Sequence, residues 1–139
     1  MNAEERLTAI TTGELDVPVY GLLSLRVVEF SAEVVKLVLK PLPAHANPYG
    51  KVAGGVIASS LDTAAAWAGD LQCSNGSFCT TIDIKVNFLR PLAITDSEVE
   101  IIATPVHIGA RIMVAEAKMV RDDGKLVAVA TATLAVLQA

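Results

Sequence analysis

Asn47-Pro48-Tyr49-Gly50-Lys51-Val52-Ala53-Gly54-Gly55 runs directly into Val56-Ile57-Ala58-Ser59-Ser60-Leu61-Asp62-Thr63-Ala64-Ala65-Ala66-Trp67. A turn-rich loop ends in paired glycines and opens a segment in which Val56, Ile57, Leu61, Ala64, Ala65, Ala68 and Leu71 recur at helical spacing. The positions between them are mostly Ala, Ser and Thr, so residues 54–71 are expected to form one long helix covered on all sides. Asp62 is the only charge between Lys51 and Asp70. A carboxylate in such a segment is costly to bury, so it needs a dedicated partner or a chemical role.

Working outward, residues 2–11 read as a short helix with Glu4 and Glu5 in its first turn and Gly13 as its stop. Residues 20–29 and 32–40 are rich in Val and Leu and read as a hairpin turning near Phe30-Ser31. Pro41 and Pro43 end its second strand. Beyond the long helix, Asn75-Gly76 leads to residues 80–89. There Ile82, Ile84, Val86 and Phe88 alternate with Thr81, Asp83, Lys85 and Asn87.

Further strands are expected at 97–106, 110–121 and 125–137, the last two joined by Asp122-Asp123-Gly124. Thr104-Pro105 marks an edge or a bulge. Helix, two strands, long helix, four strands is not βαβ alternation. It implies an α+β fold, with a mostly antiparallel sheet of about six strands packed on one helix. The 139 residues read as one domain, 1–14 being a helical extension.

Composition narrows the function classes. A net charge of −4 and the lack of a basic stripe disfavour nucleic acid. Cys73 and Cys79, six apart, match neither a CxxC motif nor a zinc spacing, so reduced thiols, no metal and a cytoplasmic setting are expected. The polar, acidic start of the chain does not read as a secretory signal. The apolar run 52–69 approaches membrane-span length, but Asp62 near its middle would cost roughly 2.5–3.5 kcal/mol there. A core helix, and no membrane partner, is the better reading.

A helix that begins on Gly54-Gly55 presents bare N–H groups and the positive end of its dipole, with no side chain in the way. A carboxylate plus donors for a developing oxyanion is the minimum set for acyl transfer.

Gly54-Gly55 followed by Asp62, in this strand order, resembles the PaaI-type acyl-CoA thioesterases of the hotdog superfamily. The other landmarks are the loop from Asn47 to Gly50, Thr81-Ile82-Asp83, Asn87-Phe88-Leu89-Arg90-Pro91 and Asp123-Gly124-Lys125-Leu126-Val127-Ala128. The resemblance implies a hotdog fold, a curved antiparallel sheet wrapped around a central helix. It also implies hydrolysis of an aryl- or medium-chain acyl-CoA without metal or cofactor. By the same resemblance Asp62 is general base or nucleophile, the Gly54 N–H and the Asn47 amide polarise the thioester carbonyl, and Thr81 orients the carboxylate or the water. Gly55, Lys51, Arg90 and Arg111 are candidates for contact with substrate, the three cations for its phosphates. Most relatives carry His before the glycine pair, where this chain has Ala53.

Gly54 and Asp62 lie eight residues apart, roughly 12 Å along a helix, so one reacting carbon cannot touch both in a single chain. A homodimer is therefore expected, pairing further into a dimer of dimers as relatives do. Each site would take Asn47 and Gly54 from one chain and Asp62 and Thr81 from the other. Two rivals stand beside this reading: a non-catalytic acyl-CoA binder, and a hydratase of enoyl thioesters using His45 or His107. Both histidines are expected to be solvated, Asp83 to be a salt-bridged surface residue, and Trp67 to pack in the core or at the dimer interface.

Overall fold

In the computed structural model, which describes residues 1–138, helix α3 (Gly54–Asp70) runs under a six-stranded antiparallel sheet that curves around it. The strands are β1 (Leu25–Phe30), β2 (Val35–Leu39), β3 (Ser77–Phe88), β4 (Val99–Ile108), β5 (Ile112–Val120) and β6 (Leu126–Gln138), in spatial order β1-β2-β4-β5-β6-β3. This is the α+β arrangement expected from the element order, in the hotdog form that the resemblance implies. Ile57, Leu61, Ala64, Ala65 and Ala68 of α3 are buried against Leu37, Ile101, Met119, Leu134 and their neighbours. Small residues let the helix sit close to the sheet: a side chain at Gly69 would run into Leu134 and Cys79.

The expectation that α3 is covered on all sides does not hold. Gly55 and Ser59 are exposed, and Asp62 and Ala66 are half-buried. These four form one stripe at helical spacing, facing away from the sheet. The sheet wraps the apolar face, and among the described residues the face of small residues is left partly open.

Helix α1 (Ala3–Thr12) starts with a capping box: Asn2 Oδ1 accepts the Glu5 N–H at 2.8 Å and Glu5 Oε2 accepts the Asn2 N–H at 3.2 Å. Gly13, at φ +85°, ends it, and Leu7 plugs it into the core. The expected strand 20–29 is only partly a strand. Residues Pro18–Leu23 form helix α2, with Pro18 fixing the first turn, and β1 begins at Leu25. Six residues are too few for a helical period to show against a Val- and Leu-rich background.

β3 contains the most consequential irregularity. Its register with β6 shifts between Thr81, opposite Leu134, and Asp83, opposite Thr133, so Ile82 is an extra, bulged residue, 58% exposed. Strict alternation would put Thr81 on the opposite face from Ile84 and Val86. The bulge instead lets Cys79 and Thr81 before it, and Ile84 and Val86 after it, all face the helix. The second irregularity was expected: β4 shifts register between Pro105 and His107, and β2 accompanies it only as far as Ala103. Gly124, at φ +82°, makes the last hairpin turn.

Candidate active site

Thr81 Oγ1 donates to Asp62 Oδ1 at 2.6 Å. The hydroxyl thus reaches from β3 to the open stripe of α3, fixes one carboxylate oxygen and leaves the other free to accept a proton or attack. Asp62 and Thr81 are brought together within one chain, as expected.

The other two predicted groups sit at the helix entrance. Asn47 Oδ1 accepts the backbone N–H groups of Tyr49 at 2.9 Å and Lys51 at 3.1 Å. Because two donors claim the oxygen, the amide orientation is settled, and the NH2 group is left without a protein acceptor among the described residues. The residue is both the turn former that Pro48 suggests and a donor held ready. The loop is pinned at its base, where Ala53 N–H donates to His45 O at 2.8 Å and Val52 N–H to Leu92 O at 2.8 Å. Gly54 and Gly55 are the first residues of α3, where N–H groups have no intrahelical acceptor, and Ala53 supplies no side-chain cap. A Cβ on Gly54 would lie 3.3 Å from the ring of Phe88, whereas one on Gly55 would meet nothing within 4 Å. Phe88 thus borders the helix entrance, a neighbour that its place in the alternating run could have suggested.

Lys51 and Arg111 are exposed and form no ion pair among the described residues. Arg90 is committed in part: its Nη1 donates to Leu126 O at 2.9 Å, clamping the end of β3 to β6. Among the described residues none of the three side-chain cations hydrogen-bonds to Asp62, Asn47 or Gly54; Lys51 meets Asn47 through its backbone alone.

His45 corrects an expectation. It is buried, not solvated: Nδ1 accepts the Leu42 N–H at 3.1 Å and Nε2 faces Leu22 O at 3.0 Å. Both ring nitrogens are used in folding the loop, leaving neither for chemistry. His107 is exposed on β4, as expected. Asp83 is exposed, as expected, but makes none of the ion pairs found among the described residues. Trp67 packs against the core and donates to Tyr20 Oη at 2.7 Å.

Four concavities of the chain lie away from these groups. One of about 500 Å³ opens on the outer face of the sheet among Lys85, Thr104, Glu116, Lys118 and Thr131, and it contains none of the predicted site residues.

The family model for the thioesterase superfamily matches residues 49–128 of the chain. The chain belongs to the thioesterase superfamily. Its match covers Gly54, Gly55, Asp62, Thr81, Arg90 and Arg111 and begins two residues after Asn47. This superfamily member is 32% identical over 91 residues to an inferred esterase of Haemophilus influenzae, spanning 66% of this chain and 64% of that protein. It thus spans just under two thirds of that relative's length. A solved structure from Ralstonia eutropha, an inferred thioesterase described as related to phenylacetic acid degradation, is 28% identical with a TM-score of 0.82, covering 93% of this chain and 98% of that one. The fold also matches the PaaI protein of the Escherichia coli phenylacetic acid degradation operon at TM-score 0.83 and 20% identity, covering 97% and 93%. No helix among the described residues is long and apolar enough to cross a membrane.

Proposed function

We propose that the chain is an acyl-CoA thioesterase that hydrolyses an aryl- or medium-chain acyl-CoA to the free acid and coenzyme A. The observation that carries this reading is the Asp62–Thr81 pair, held at 2.6 Å on the open stripe of the central helix in a member of the thioesterase superfamily. Asp62 takes a proton from water as the water oxygen adds to the thioester carbonyl carbon. Negative charge builds on the carbonyl oxygen and is met by the Gly54 N–H and the Asn47 NH2. Collapse of the tetrahedral species breaks the carbon–sulfur bond, and the departing thiolate recovers the proton from Asp62. Direct attack by Asp62, through an anhydride, balances equally; after one turnover in 18O-labelled water, label in the Asp62 carboxylate identifies an anhydride that water opens at the Asp62 carbonyl. Neither route calls for a metal or redox cofactor.

The site is composite in this reading. Gly54 and Asp62 are roughly 12 Å apart along α3, and Asp62 lies outside the cavity on the outer face of the sheet. A second copy supplies the missing donors. Two features favour such a partner: the uncovered stripe of small residues, and the free edge of β3, twelve residues long with Ile82 and Phe88 more than half exposed. Lys51 and Arg111, unpaired at the surface, and the free donors of Arg90 are the cations available to the phosphates of coenzyme A.

Ala53 favours a second reading, in which the chain binds acyl-CoA without turning it over. Thiol release from a panel of aryl-, short- and medium-chain acyl-CoAs, with a substrate-free baseline for Cys73 and Cys79, decides between them. Release by wild type supports hydrolysis; tight binding with no release supports the binder. The two occupied nitrogens of His45 remove that residue as the base of a hydratase.

A further inference from the structure

The C-terminal end of α3 holds a second cluster that the proposed reaction does not use. Cys73, in the turn after the helix, and Cys79, on β3, are free thiols with their sulfurs 3.5 Å apart. The Asp70 carboxylate lies within 4.8 Å of both sulfurs and accepts the Cys79 N–H at 2.5 Å. The turn between them is already closed: Ser77 N–H donates to Ser74 O at 3.1 Å, and Gly76 takes φ +83°. Few degrees of freedom remain to be lost when the two sulfurs approach. Cys73 lines a surface cavity of about 400 Å³ together with Arg6, Asp70, Ser74, Gly76 and Phe78. Cys79 is buried behind it, against Met113.

We propose that Cys73 and Cys79 are an oxidisable dithiol, a modification site that closes into an intrachain disulfide on reaction with a low-molecular-weight disulfide. Cys73 attacks first, because of the two it alone faces the cavity; burial raises both thiols, and pushes Cys79 the further, up to about 12, which holds it in reserve. The Cys73 sulfur bonds to one sulfur of the reagent, and the other half leaves as a thiol carrying the proton that Cys73 lost. The Cys79 sulfur then attacks Cys73 Sγ in the mixed disulfide and expels the second half. Asp70, whose carboxyl burial lifts above its ordinary value, is placed to relay the Cys79 proton to it. Two protein thiols are oxidised and one disulfide is reduced to two thiols. The sulfurs must approach from 3.5 Å to about 2.0 Å, which draws the turn after α3 onto β3 two residues from Thr81.

The test is incubation of the intact chain with oxidised glutathione, followed by mass spectrometry under denaturing conditions and peptide mapping. The expected product is a monomeric chain lacking two hydrogens, with residues 73 and 79 linked, no glutathione retained, and a melting temperature raised by a few degrees. Cys79→Ala should instead stop at one glutathione on Cys73, and Cys73→Ala should resist the reagent. Two titratable thiols remaining in wild type would overturn the proposal, as would a link between different chains. Thiols masked before oxidation and released by a chelator would assign the pair to a metal and also overturn it.

Discussion

Asp62 and Asp70 leave the same helix eight residues apart and reach the same strand, where their partners stand two residues apart. Asp70 accepts the main-chain N–H of Cys79 at 2.5 Å, whereas Asp62 accepts the side-chain hydroxyl of Thr81 at 2.6 Å. A bond to main chain survives most substitutions at residue 79; a bond to a hydroxyl does not survive the loss of that hydroxyl. Burial raises the Asp70 carboxyl above its ordinary value, and the surrounding end of α3 is packed so tightly that Gly69 has no room for a methyl group. At Asp62 the helix turns a stripe of Gly, Ser and Ala outward instead. The same chemical group therefore fastens helix to sheet at the end of α3 and, at its middle, lies on an open stripe where the proposed reaction uses it.

Substitution should separate the two roles. Asp62→Asn is expected to reduce thiol release by at least about a hundredfold while leaving the melting temperature nearly unchanged. Asp70→Asn, which keeps the oxygen that accepts the Cys79 N–H, should leave turnover within a few-fold of wild type. Equal losses of activity in the two variants would break the comparison. Thr81→Val should cost about tenfold in turnover, the worth of one hydrogen bond to a charged group, and Thr81→Ser should restore most of it.

The stability predictions fall on the other end of the helix. Gly69→Ala should destabilise the fold by about 1–3 kcal/mol in chemical denaturation, because Leu134 and Cys79 must move, with little change in turnover per folded molecule. The pH dependence gives the smallest signal. The Asp70 carboxyl is raised in the folded state, so its contribution to stability is fully present below its ordinary value of 3.8 and is lost as pH rises through the folded value. Wild type should therefore lose stability relative to Asp70→Asn as pH is raised across that acidic window. Melting temperatures of the two proteins measured side by side check it; parallel curves would contradict it.

The sequence makes the polar end of this comparison legible and the packed end much less so. Asp62 stands out because no other charge interrupts residues 52–69, and the helix shows itself through a period sustained over seventeen residues. The β5–β6 hairpin is announced by Asp122-Asp123-Gly124. Helix α2 escapes because Pro18–Leu23 is too short to express a period. The bulge at Ile82 escapes because nothing in Thr80-Thr81-Ile82-Asp83 distinguishes an extra residue from an ordinary one, yet it is what turns Thr81 toward Asp62. His45 looked like a surface histidine because its acceptor, Leu22 O, is distant in sequence. The Asp70–Cys79 bond joins a carboxylate to backbone, which leaves no mark in the side-chain pattern at all.

The central claim is that each site takes Asn47 and Gly54 from one chain and Asp62 and Thr81 from another, and subunit mixing tests it most directly. Asp62→Asn disables one half of the site. Asn47→Asp disables the other by removing the NH2 donor while keeping the oxygen that holds Tyr49 and Lys51. Each variant alone should be inactive. In an equal mixture allowed to exchange subunits, half the dimers are mixed, and each mixed dimer has one intact and one doubly disabled site, so about a quarter of wild-type activity should return. Mixed dimers that demonstrably form and stay inactive would place both halves of the site in the same chain and contradict the account.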